Sequence, residues 1–486
     1  MSAVPGDFGL LSPVTADPRR QSVTGDGAVV AAVLAVETAW VQVLESTGLA
    51  PAGSAATIRE AANGEGFQAA GLAAAAQGGG NPVIPIVAKL RSLVSGRSPE
   101  AAAAVHASLT SQDVLDTALM LLASNAVAML RGDVAGASAA MARLARAHAG
   151  TLQPARTLTQ HSLPSTFGLK AAQWFHGLAA AATRLDAITF PVQFGGAAGT
   201  LAAGTVLAAK AGTDPFTLAD SLAGNLGLAA APAPWHTNRT QVTALGDALA
   251  ALTDAAGKVA NDVLLLSRPE FGELAEPRAA GRGVSSAMPQ KQNPVLSILV
   301  RSAALAAPQQ AAQLHLAAAL SVDERPDGAW HTEWNALRTL LELAGGAAAA
   351  LHELAAGLQV FPDAMRRNLA ISGPLLLSEA AGAAVVPLLE SQGGTANPRK
   401  GGVGNAPGGG KAAFQAIVDR ALQAQAGTQG TEFARLLRAA VPETALADAE
   451  LDRLLDPAGY LGENSRIVER IFAAYPQWVP EGGGHE

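Results

Sequence analysis

Along most of the chain the apolar positions recur at spacings of three and four rather than two, and alternating runs of β-branched and aromatic residues are scarce. That period marks amphipathic helices. The clearest begins at LTSQDVLDTALMLLASNAVAML, where Thr110 or Ser111 can cap the first-turn amides and Asp113 sits near the positive helix end. Leu115, Leu119, Leu122, Ala126 and Met129 then form one seam. Continued to His148, this helix would be roughly 55 Å long, the scale of an extended bundle. Further helices are predicted at about 168–189, 199–211, 237–266, 294–320 and 330–357, each bounded by glycine or proline. No short solenoid-type repeat is present.

The pattern predicts an all-α protein of three domains. Residues 1–109, with shorter helices and the break AAAAQGGGNP, read as an N-terminal helical domain, 110–365 as a central long-helix bundle, and 366–486 as a small C-terminal helical domain. The last contains GGTANPRKGGVGNAPGGGK at 393–411, whose glycine content makes stable order entropically costly and predicts a flexible loop.

Composition narrows the functions. Aromatic residues are only 4%, so the core must be built of Ala/Leu seams between closely packed helices. With a net charge of -7, general attraction to nucleic acid or an anionic membrane is not expected, and any bound anion must be held by local groups. The absence of cysteine excludes disulfides, thiolate catalysis and Cys-ligated metal centres, and it is compatible with a reducing cytosol. The N-terminus MSAVPGDFGLLSPVTADPRR lacks the charged start and apolar run of a signal peptide. No stretch of about 20 residues reads as sufficiently apolar to span a bilayer. A soluble, cytoplasmic protein is expected.

One segment breaks the helical pattern: GRGVSSAMPQKQNPV, residues 281–295. It ends a run of loop between two long helices, and loops of that length in compact proteins are usually functional or disordered. Asn293 is a good N-cap and Pro294 suits a first helical position, so a helix should start there. Its unpaired amides, with Lys291 beside them, would attract an anion. A serine on such a loop could move protons only where a closing, water-excluding lid stabilises its alkoxide.

SSAMPQKQNP resembles the signature loop of the fumarase/aspartase superfamily. HASLTSQDVLDT (106–117) looks like its HxGxTSxDxxDT region, and LTQHSLPSTFGLK (158–170) looks like its histidine region followed by PTTFG. The order and separation fit, and the resemblance covers about residues 8–380. Within the superfamily the branch of bacterial 3-carboxy-cis,cis-muconate cycloisomerases is most similar, on LLSPVTADP, GNPVIPIVAKL, LTQH, PWHTNRTQ and ERPDGAWHTEW. Adenylosuccinate lyase is the alternative, sharing the SSAMP loop and the TSxDxxDT helix start. A non-catalytic helical scaffold of the same superfamily is a further one.

The resemblance implies a three-domain fold, a homotetramer with active sites shared between subunits, no metal and no cofactor. It implies a small tricarboxylate substrate, converted to 4-carboxymuconolactone in protocatechuate breakdown, with neither nucleic acid nor membrane as partner. Read backwards, lactonisation is a β-elimination, and both directions pass through an aci-carboxylate that needs a proton donor and fixed cations and donors. On the family's roles, Ser285 or Ser286 would exchange the proton at carbon, with His161 as second catalytic group. Lys291 and Asn293 would bind a substrate carboxylate; Thr110, Ser111 and Gln112 another; Gln160, His106 and Met288 would line the site. Arg239 is a candidate bidentate partner for a third carboxylate. Capping alone would also explain Thr110 and Ser111, Arg239 could equally be an ion-paired helix residue, and Trp330, His331 and Trp334 could be core or pocket wall. Three positions depart from the superfamily pattern. Val284 precedes the serine pair where glycine is usual, Ser108 replaces a glycine, and Ile298 stands where many lyases carry the glutamate that orients the histidine.

Overall fold

The computed structural model describes residues 9–64, 66–284, 287, 288, 290–393, 409–425 and 427–480. Its principal helices are α1 (Asp26–Ser46), α2 (Ser111–Ala147), α3 (Phe167–Asp186), α4 (Thr240–Leu266), α5 (Val295–Ala319), α6 (Gly328–Ala356) and α7 (Pro362–Ser372). Toward the C-terminus follow α8 (Ser378–Gly393), α9 (Gly409–Leu422) and α10 (Gln429–Ala440). The helical expectation therefore holds. Within the predicted stretch 199–211 the helix is shorter, Ala202–Ala209, and a second helix, Pro215–Leu226, begins behind an Asp214 cap that accepts from Phe216 N and Thr217 N.

The long helix forms for the reasons its sequence suggests. Asp113, in the first turn of α2, reaches back to accept from Thr110 N at 3.0 Å, half of a capping box. Leu115, Leu119, Leu122 and Ala126 are buried, while Leu130 replaces the half-exposed Met129 in continuing the seam.

Strands are present that the sequence did not announce. Leu152–Thr157 (β1) pairs antiparallel with Gln160–Thr166 (β2), and Leu274–Ala275 (β3) pairs with Gln359–Val360 (β4). The first hairpin turns on Leu158 and Thr159, both at positive φ, 49° and 70°. Two-residue hairpin turns of this kind normally use Asn and Gly; a β-branched threonine there is strained.

The chain divides into two compact units, each assembled from separate segments. One comprises residues 1–137, 178–260 and 295–353; the other comprises 138–177, 261–294 and 354–486. These bounds differ from the consecutive division at 109/110 and 365/366, in that α2, α3, α4 and α6 each run from one unit into the other. The C-terminal helices do have a core of their own, in which Ala381, Val385, Ala421, Phe433 and Leu437 are fully buried. The segment 394–408, most of the glycine-rich stretch, lies outside the described residues.

Three helical stretches, Pro18–Ser46, Ser111–Ala147 and Pro362–Ser391, are long and apolar enough by length and composition to cross a membrane, against the expectation of none. The first two carry buried acids that are hydrogen-bonded inside the protein: Glu37, Asp113 and Asp116.

In the first unit the most concentrated buried polar network is centred on Arg239. Its guanidinium donates to Asp116 at 2.7 and 3.0 Å and to Glu333 at 2.6 and 3.1 Å, with its plane over the Trp235 ring. Asp116 also accepts from Trp330 Nε1 at 2.9 Å and from Gln112 Nε2 at 3.2 Å. Burial disfavours the charge on Arg239, but the two carboxylates outweigh it and raise its pKa. Glu333 is pushed up by burial and by Asp116, against the pull of Arg239, as two acids sharing one cation require. The network clamps α2, the start of α4 and α6 together. Removing one partner of a buried ion pair strands the others, which costs about 3–5 kcal/mol. Arg239→Ala should therefore lower the urea midpoint by the equivalent of several kcal/mol. A variant with the wild-type midpoint and only a raised KM would return Arg239 to the substrate.

Candidate active site

The motif residues fall into two groups, one in each unit, and each group has its own geometry. In the first unit the site begins at a kinked turn before α2. His106 and Ser108 have φ of 61° and 65°. That accounts for the glycine expected where Ser108 stands, since this conformation is free for glycine and strained for other residues. The turn is held by Trp40 Nε1 donating to Ala107 O at 2.8 Å and by Ser108 Oγ donating to Ala203 O at 3.3 Å.

His106 is fixed by a fully buried carboxylate. Glu37 accepts from His106 N at 2.9 Å and from its Nδ1 at 2.6 Å. With Nδ1 donating, Nε2 is left as the ring's proton acceptor. Glu37 carries no motif signal, and only the fold brings it to His106 across 69 positions of chain.

Thr110 and Ser111 are half-buried at the positive end of α2, where first-turn amides lack helical partners. Arg325 NH1 donates to Thr110 Oγ1 at 2.8 Å, adding a cation to this helix start. It belongs to ERPDGAWHTEW, which had served only as a family marker. Asp113 pins the neighbouring glycine loop. It accepts from Gly195 N at 2.9 Å, Gly196 N at 3.0 Å and His236 Nε2 at 2.8 Å.

Three expectations change here. Arg239 is enclosed by Asp116 and Glu333 and is only 3% exposed, so it is a structural cation rather than a ligand for a third substrate carboxylate. Gln112 is fully buried, its Nε2 donating to Asp116 and to His236 O. Trp330 is core through its bond to Asp116, while His331 is exposed and its ring nitrogens meet Asp327 O and Gly80 O at 2.9 and 2.8 Å.

In the second unit His161 lies on β2, half-buried, with exposed Gln160 beside it at the hairpin turn. Across the ladder it faces Arg156, which is paired with fully buried Glu273. Burial lowers the His161 pKa, Arg156 lowers it further and Glu273 opposes them, so the ring is neutral near pH 7. Its Nδ1 is 3.0 Å from Ser372 Oγ.

The loop at 281–293 is closed at its neck. Val284 bridges Gln292, Asn293 N donates to Gly283 O at 2.9 Å, and Gln292 Nε2 donates to Arg282 O at 2.9 Å. α5 starts at Val295, and the Asn293 side-chain amide turns back to Gly283 O, at 3.2 Å. The neck needs its glycine. Gly283 has φ 69°, and a Cβ there would lie 2.4 Å from Gln292 Nε2 and 2.5 Å from Asn293 O. Lys291 and Met288 are exposed on the loop. Ser285 and Ser286 lie outside the described residues, as does Pro289.

Gly283→Ala should thus open the neck at a stability cost on the order of 1–2 kcal/mol and, on the expectation that this loop carries the serine chemistry, lower turnover at least ~10-fold. Wild-type turnover in that variant would show the neck to be dispensable.

A profile of the lyase family matches residues 24–307. The nitrosuccinate lyase of Streptomyces davaonensis is 44% identical over 98% of this chain and 96% of its own. The 3-carboxy-cis,cis-muconate cycloisomerase of Bradyrhizobium diazoefficiens is 35% identical over 95% of this chain and 97% of its own. The crystal structure of 3-carboxy-cis,cis-muconate lactonizing enzyme from Pseudomonas putida superposes with a TM-score of 0.83 at 30% identity, covering 97% of this chain and 99% of that one. On this evidence the chain belongs to the lyase family of the fumarase/aspartase superfamily and is an enzyme of that superfamily.

Proposed function

We propose that this enzyme catalyses β-elimination on a nitro-substituted succinate, converting nitrosuccinate to fumarate and nitrite. The observation that carries the reading is the 44% identity to a nitrosuccinate lyase over 98% of this chain and 96% of that one, against 35% to the cycloisomerase.

In this reading Ser285 or Ser286 takes the proton from the carbon next to one carboxylate. The electron pair spreads onto that carboxylate, which the helix-start donors and cations stabilise. It then forms the carbon–carbon double bond as the C–N bond breaks, and nitrite leaves with the C–N electrons. His161 serves as the second acid–base group, and no metal or cofactor takes part. Cycloisomerisation of 3-carboxy-cis,cis-muconate passes through the same kind of aci-carboxylate and is the second reading, supported by the 35% identity along nearly the whole chain. A homotetramer in the cytoplasm belongs to the proposal as well. Ile298, Leu305 and Leu316 on α5, with Leu320 just beyond it, are 48%, 66%, 57% and 66% exposed, an apolar stripe suited to other copies of the chain.

Purified enzyme should release nitrite and fumarate in equal amounts from nitrosuccinate, with kcat/KM at least ~100-fold above that for 3-carboxy-cis,cis-muconate, measured by loss of diene absorbance. The opposite preference would install the cycloisomerase reading. Of Ser285→Ala and Ser286→Ala, one should lose at least ~10² in turnover.

A further inference from the structure

Two side chains one turn apart on α7 connect to the two members of a single cross-strand pair, one directly and the other through Glu273. The register of the β1–β2 hairpin sets Arg156 opposite His161. Asn368 Nδ2 donates to Glu273 Oε1 at 2.7 Å and to Phe271 O at 2.9 Å, and Glu273 in turn holds the Arg156 guanidinium. Four residues later on the same helix, Ser372 Oγ meets His161 Nδ1 at 3.0 Å. Asn368 therefore fixes α7 against one strand, and Ser372 touches the ring on the other.

Ser372 is itself held in place. It ends α7, and the following Gly373 turns at φ 50°. Gly430 of α10 presses against this corner so closely that a Cβ on it would lie 2.7 Å from Ser372 O and 3.0 Å from Gly373 Cα. The backbone that carries the hydroxyl is thus closely packed at this corner.

We propose that Ser372 is the positioning residue for His161: its hydroxyl accepts from Nδ1–H and so selects the tautomer whose Nε2 can take up a proton. A hydroxyl does this without adding a negative charge, so the ring stays neutral and available. The charged groups facing the ring are Arg156 from β1 and, behind it, Glu273 beside β3; the 3-10 helix Gly373–Leu377 that follows α7 has no ionisable side chain. This inference rests on the reading of His161 as the second acid–base group, and its test separates the two.

Three variants decide it: His161→Asn, Ser372→Ala and Ser372→Thr, each assayed for kcat, KM and the pH dependence of kcat/KM. His161→Asn should lose at least ~10² in turnover, the scale of a lost acid–base group. Ser372→Ala should lose about tenfold in kcat with KM nearly unchanged, a part of that same contribution. Its His161 limb should move to lower pH by about half a unit, because the imidazolium loses an acceptor for Nδ1–H. Ser372→Thr, which keeps the hydroxyl, should restore both. If His161→Asn is crippled while Ser372→Ala keeps the wild-type rate and profile, the positioning role is wrong. The same holds if Ser372→Ala slows turnover without moving the profile and threonine does not rescue it. If His161→Asn turns over at the wild-type rate, it is the reading of His161 that falls.

Discussion

The first unit depends on one cation buried between two acids. Arg239 joins Asp116 of α2 to Glu333 of α6, just before α4 begins, in a setting where an unpaired charge would be intolerable. Because Asp116 also collects Trp330 and Gln112, the start of α2 cannot shift without breaking several buried hydrogen bonds at once. The helix start that carries Thr110 and Ser111 inherits that rigidity. An Ala/Leu seam would hold the helices together but would resist sliding along their axes poorly, since small side chains interlock weakly. The polar clamp supplies the register.

Acidic residues set geometry elsewhere as well. Glu37 orients His106, Asp113 ties the 195–196 glycines to the α2 start, and Glu273 holds Arg156 beneath the hairpin. Strain gathers at the same places. His106 and Ser108 begin one motif, Leu158 and Thr159 begin another, and all four are non-glycine residues at positive φ. Conformations of this kind persist where surrounding contacts over-determine them, as functional sites do.

The long helices were legible because their signals are local. Thr110, Asp113 and the leucine seam of α2 lie within a few turns of one another; the capping bond seen is Thr110 N donating to the Asp113 side chain, where the sequence had pointed to the Thr110 or Ser111 hydroxyl. The hairpin was not legible. Its strands LQPART and QHSLPST are short and contain proline, and their turn uses Leu158 and Thr159 where the usual signal is Asn-Gly. The compact units divide the chain differently from the consecutive plan: a long helix is one element in sequence, yet its two ends belong to different units.

For the site, the chain alone singled out the candidate segments, because loop punctuation, helix starts and the three motifs are contiguous strings. It also placed the polar break at 281–295 and a cationic, hydroxyl-bearing character on the motif segments. What it could not determine was the partner of each charged side chain. Arg239 and Arg325 are both arginines near motif residues, yet the first is enclosed by two acids and the second reaches Thr110. Gln112 lies one residue from Ser111 but on the inward face of the helix. Glu37 and Ser372 reach their histidines across 69 and 211 positions of chain. Whether a polar group serves the fold or the ligand depends on what is folded against it, and contacts so distant in sequence are set only by tertiary packing.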